Sequence, residues 1–266
     1  MSSSSVTIAS PGASRTAVGP RVASLLRLDF YRLFHTPAFY IMLLISALIP
    51  ALLVATSGSD ASGVAGTNQA VVYTNAWQLI ESAGGSTAGA NPLDFGGYAN
   101  INMVFIFAGL LMAIFISHDY MSGFVKSIFT VHSRKVDYVI SKTTIGIFGG
   151  VGMILTYLLG TIVAGILAGT SFEADVAGLI FCILAKMFLM GAFCSLFLAV
   201  SVFFREKLWL TIVFTFLIGM LLYPAASVAT LGSTVMTAFG CLIAGTVAAV
   251  AIGCASTLIL TRRDLT

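Results

Sequence analysis

Six long apolar runs, almost empty of charge, restrict what this chain can fold into. They cover about Phe39 to Ala55, Ile101 to Ile116, Thr143 to Ala168, Val176 to Phe204, Leu208 to Tyr223, and about Val235 to Leu260. Lys186, in the fourth, is the single Lys, Arg, Asp, Glu or His inside them. A helix needs about 20 mostly apolar residues to cross a hydrocarbon layer about 30 Å thick. The third, fourth and sixth runs are long enough to tilt, and the shorter ones borrow flanking residues. Charged residues make up 9% of the 266, against about 25% in a soluble domain. With a mean hydropathy of +1.02, the chain is neither a water-soluble globule nor a disordered one. The expectation is an all-α membrane protein with six transmembrane helices.

The basic residues then orient the bundle. Arg15, Arg21, Arg27 and Arg32 precede the first run. Lys126, Arg134, Lys135 and Lys142 lie between the second and third, Arg205 and Lys207 between the fourth and fifth, and Arg262 and Arg263 after the sixth. The intervening loops hold no Lys or Arg; residues 56–100 carry only Asp60, Glu81 and Asp94. Twelve of the 13 basic residues therefore occupy alternate connections, which the positive-inside rule assigns to the cytoplasm together with both termini. A multi-pass protein of the cell membrane follows. The net charge of +3 reflects this topology and contact with membrane lipid, not nucleic acid.

Four further segments are set by composition. Residues 1–20, rich in Ser, Gly and Pro and lacking a signal-peptide apolar core, are expected to form a disordered cytoplasmic tail. Residues 21–38 form an amphipathic interfacial helix: Val22, Ala23, Leu25, Leu26, Phe30, Leu33 and Phe34 share one half of a wheel, with Arg21, Ser24, Arg27, Arg32 and His35 on the other. Leu28, Asp29 and Tyr31 break that pattern. Residues 39–266 make up the six-span domain. Its outer loop, 56–100, contains a short helical stretch from Gln69 to Ser82 carrying Tyr73 and Trp77, which serves either as an external docking element or as rim packing. Its inner connection, 117–142, mixes acid, base and aromatic residues around Gly123 and is longer than a turn requires.

Enzyme chemistry finds little to work with. There is no GxxxxGK[ST] phosphate loop, no histidine within an apolar run to serve a serine nucleophile, and no pair of intramembrane carboxylates. Cys182, Cys194, Cys241 and Cys254 all lie in apolar runs without metal-ligand spacing and read as small packing residues. Lys186 either snorkels its ammonium to the outer headgroups, the favoured reading, or lines a substrate path or dimer seam. Gly146/Gly150 and Gly165/Gly169 have the GxxxG spacing that lets helices approach closely.

The layout resembles the permease subunits of type-2 ABC exporters. The local match is Asp119-Tyr120-x-x-Gly123, then Lys126, Ser133-Arg134 and Lys142, with the tail Arg262-Arg263-Asp264-Leu265. The resemblance implies that Asp119, Tyr120, Gly123, Lys126, Ser133, Arg134 and Lys142 form an ATPase-coupling interface built on a coupling helix. It also implies a re-entrant outer element over Pro224 to Thr234. Val131-His132 stands where a Pro-containing turn is common in the family. By the same resemblance this chain binds no cofactor, ATP and Mg are held by cytoplasmic ABC ATPase subunits, and a second permease chain, identical or paired, completes the transporter. Size and layout are most similar to bacterial peptide-export and bacteriocin-immunity permeases, implying an amphipathic or hydrophobic cargo. The alternatives are a non-transporting membrane module that docks a cytoplasmic partner, and a secondary transporter, against which the missing mid-membrane acids count.

Overall fold

A computed structural model describes residues 18–57, 76–77, 101, 103–131, 135–172, 176–204, 207–229 and 235–262. Most of the tail 1–20, Tyr73 and its stretch, Ser133, Arg134 and the last four residues lie outside these. Eight helices are described: α1 Val18–His35, α2 Pro37–Ser57, α3 Met103–Met121, α4 Phe124–Val131, α5 Lys135–Ala168, α6 Val176–Phe204, α7 Leu208–Ala229 and α8 Val235–Arg262. Among the described residues, α3, α5, α6 and α8 are each long and apolar enough to cross a membrane, and α1 with α2 passes as one bent pair. The described part of α7 that qualifies as apolar, Leu208–Met220, is shorter.

The bend between α1 and α2 is 65° and has a local cause. Pro37 lacks an N–H and its ring excludes a continuing helix turn before it. Thr36 fills the joint: its Oγ1 donates to the Arg32 carbonyl at 2.7 Å, and its own carbonyl accepts from Phe39 N at 3.1 Å. The amphipathic helix expected over 21–38 is thus α1, with its end at His35.

Of the four helices long and apolar enough to span, α3 is the most enclosed and α8 the least. Phe105 of α3 stacks on Phe193 of α6 at 4.7 Å between centroids, and the core continues through Met112, Met190 and Phe197. α1 and α2 pack along α5, α7 lies against α3 and α6, and α8 lies against α6 and to a lesser extent α5. Glycines set the closest approaches. A Cβ on Gly160 would run into the Ala47 backbone of α2, and one on Gly245 would meet the Phe188 carbonyl of α6 at 2.7 Å. In the GxxxG pairs, Gly146 and Gly150 receive the Met112 and Met190 side chains, and Gly165 receives Ala76 and Phe172. Gly169 instead ends α5 with φ of +67°, a left-handed cap that glycine adopts without a Cβ clash.

Two boundaries differ from expectation. α5 begins at Lys135, two turns before the apolar run at Thr143, because its first turns bury Asp137, Tyr138, Ser141 and Lys142 against neighbouring helices. α7 runs through Pro224 to Ala229, so the first half of the segment expected to be re-entrant is helix, while 230–234 lies outside the described residues.

Candidate functional site

The inner connection folds around one turn. α3 closes at Gly123, whose φ is +70°; Ser122 N donates to the His118 carbonyl at 3.0 Å and Gly123 N to the Tyr120 carbonyl at 3.2 Å. The Gly123 carbonyl then accepts from Ser127 N at 3.2 Å, which starts α4 immediately. α4 is amphipathic over two turns: Val125 and Ile128 are buried, while Lys126 and Ser127 are exposed.

At the root of α4 stands a knot of four charges. Lys142 Nζ of α5 lies 2.6 Å from Asp29 Oδ1 of α1 and 2.6 Å from Asp119 Oδ2 of α3. Arg32 Nη2 of α1 lies 2.6 Å from Asp119 Oδ1. Ser141 Oγ donates to Asp29 Oδ2 at 2.7 Å, and Tyr138 O–H donates to Asp119 Oδ2 at 3.3 Å. Rings close the site: the Lys142 ammonium is 4.3 Å from the Phe115 centroid, and the Arg32 guanidinium 4.2 Å from that of Phe124, the first residue of α4. Lys142 and Asp119 have no exposed surface, and Asp29 is 2% exposed.

Two carboxylates against two cations make the knot neutral, which its burial demands, since an isolated buried ion costs several kcal/mol. Such a cluster adds little net stability over apolar packing. Its members come from α1, α3 and α5, so it ties those three helices together.

The residues expected at a coupling interface therefore divide. Lys126 is exposed on α4, Gly123 makes the turn, and Tyr120 is half-buried against the core. Asp119 and Lys142 are enclosed by their own chain and hold the root of α4 rather than facing outward. Asp29, Arg32, Tyr138 and Ser141 complete the arrangement and were not singled out from the sequence. The signal was present for Asp29, an acid spaced four residues from both Leu25 and Leu33 on the buried stripe of α1.

The two remaining candidates lie elsewhere. Trp77 Nε1 donates to the Phe172 carbonyl at 3.3 Å, and Ala76 N to the Ser171 carbonyl at 3.0 Å, so this piece of the long loop is pinned to the α5–α6 connection. Lys186 is 1% exposed, with Cys182 of α6 and Cys241 of α8 beside it. The favoured snorkel is thereby corrected: the side chain is enclosed in the bundle and does not follow the lipid surface outward. Cys254, unlike the other three cysteines, is exposed on α8.

An apolar helical bundle of this kind, with a neutral buried charge knot beneath a short amphipathic helix, defines a multi-pass membrane subunit. The family model described as ABC-2 family transporter protein matches residues 25–222, from within α1 into α7, and the chain belongs to that family. It is accordingly a non-catalytic transmembrane permease component, of a kind that generally pairs with ATPase subunits that bind the ATP. Comparison with curated proteins and with solved structures gives no match.

Proposed function

We propose that the chain is one permease half of an ATP-driven exporter, with α4 as the coupling helix on which a cytoplasmic ATPase docks. The observation that carries this is the junction of an exposed Lys126 face with a root locked to α1, α3 and α5. A push on α4 passes into three helices at once through the knot, while the Gly123 turn sets its angle. In this reading Lys126, Ser133 and Arg134 meet the ATPase, and Asp119 and Lys142 are positioning residues behind them. In the six-span reading the root of α4 and the end of α8 are both cytoplasmic. The Lys135 ammonium bound to the Leu260 carbonyl at 2.5 Å supports this, since it joins the start of α5 to the end of α8. In this orientation Trp77, pinned to the α5–α6 connection, lies at the opposite end. Two six-span chains pair, and the cargo is an amphipathic or hydrophobic molecule, a peptide by similarity of size and layout. The enclosed Lys186 belongs to the α6–α8 contact beside that path.

The test is purification from mild detergent with its ATPase, followed by hydrolysis measurements. Lys126→Glu and Arg134→Glu should each leave the amount of membrane-inserted chain unchanged and lower co-purified ATPase or its stimulation. Undiminished coupled hydrolysis in the double variant would remove α4 as the docking element.

A further inference from the structure

The elbow between α1 and α2 borders a half-open cavity of about 370 Å³ against α3. Its polar lining is Tyr31, Arg32, His35 and Thr36 from the elbow and His118 from α3; Phe115 and Ile114 form an apolar wall. We propose that this cavity binds the phosphate headgroup of an anionic phospholipid. The inference rests on the permease reading only in taking this end of the bundle to be the inner leaflet.

The donors suit a phosphate. Arg32 sets Nη2 on Asp119 and keeps Nη1 buried without a hydrogen-bond partner within the protein, while the remainder of its side chain, 23% exposed, lines the cavity. A guanidinium with one edge on a carboxylate keeps N–H groups for a second oxyanion. His35 Nδ1 lies 2.8 Å from the Tyr31 carbonyl. A carbonyl only accepts, so Nδ1 carries the proton and Nε2 is left for a ligand. His118 is exposed and brings a second imidazole from the facing helix. Asp119 contacts Arg32, and Asp29 and Asp119 together balance Arg32 and Lys142, so the knot brings no net negative charge to the cavity.

A lipid fits better than free phosphate because the cavity opens onto an apolar track. Pro37, in its lining, shares a helical stripe with Tyr40, Ile41, Leu44 and Leu48, all more than half exposed. An acyl chain can lie along that stripe while the headgroup sits at the elbow. The volume is within the roughly 300–1,000 Å³ typical of small-ligand sites.

The experiment is native mass spectrometry of the full chain exchanged into phosphatidylglycerol or phosphatidylcholine, repeated with inorganic phosphate. One phosphatidylglycerol per chain should be retained in preference to phosphatidylcholine. The exposed pair His35→Gln/His118→Gln should weaken that retention about tenfold, the effect of losing one or two charge-assisted hydrogen bonds. Arg27→Gln, which removes an exposed charge elsewhere on α1, should leave it unchanged. Equal retention of the two lipids, equal loss in Arg27→Gln, or saturation by inorganic phosphate alone would each overturn the lipid assignment. None of these readouts depends on an ATPase, so failure here is separable from failure of the coupling assignment.

Discussion

Lys142 bridges Asp29 and Asp119 at 2.6 Å each, although the two acids are separated by the first hydrophobic helix and the whole of the long loop. An ammonium in that position is the centre of charge balance for three helices. Replacing it tests whether the knot works as a unit. Lys142→Met leaves two buried carboxylates with one guanidinium and should cost about 3–5 kcal/mol of stability. Adding Asp29→Asn restores neutrality around the surviving Arg32–Asp119 pair and should recover much of that loss. Thermal unfolding in detergent measures both, and purely additive losses would mean that the two residues do not interact.

Gly123 and Gly169 give a matched comparison. Both have positive φ, and a Cβ at either meets nothing within 4 Å, so substitution acts through backbone conformation alone. Alanine at each should cost about 1–2 kcal/mol. Only Gly123→Ala should also reduce ATPase stimulation in the assembled complex, because only that turn sets the angle of α4.

Helix contact through backbone should be less forgiving than contact through a flexible side chain. Gly160→Ala drives a methyl group into the Ala47 backbone, whereas Gly150→Ala presses on the thioether of Met190, which can change rotamer. The first should lower stability by about 1–3 kcal/mol and the second by clearly less. A ranking in the reverse order from melting curves would contradict the tight α2–α5 packing.

The enclosed Lys186 makes a prediction of opposite sign. Lys186→Met keeps the length of the side chain and removes a charge from the bundle interior. Stability should rise, because a thioether carries no desolvation cost in the bundle interior. A fall would show that the ammonium is held by partners worth more than its desolvation.

Topology is checked by labelling. In a background with Cys254→Ala, Ser62→Cys should react with an impermeant maleimide on intact cells, and Ser133→Cys only after permeabilisation. The same side for both would overturn the six-span orientation.

The helical class and most helix positions were legible because apolar length is written directly in the chain. Gly123 was legible too, since a glycine between two amphipathic stretches marks a turn. Asp119 and Lys142 were found by motif, but their burial was not, because charge alone does not reveal whether its partner is solvent or another helix. Their partners sit on α1, and that pairing over 113 positions leaves no periodic trace except a misplaced acid among leucines. Lys186 was misjudged for a related reason. A long apolar run says that a lysine is at membrane depth, not which neighbours enclose it.

α5 has a consequence that its 34 uninterrupted residues make simple. At 1.5 Å per residue it is a rod about 50 Å long. Lys142 near one end is fastened into the charge knot, and Gly165 near the other packs against Ala76 and Phe172. No proline interrupts it, and the joints lie outside it, at Thr36 and Gly123. Pivoted at Lys142, the stretch to Ala168 is about 39 Å long and turns a tilt of 10° into a sweep of roughly 7 Å at its far end. A modest rotation at the knot would therefore arrive amplified at the end of α5 where Gly165 meets Ala76 and Phe172.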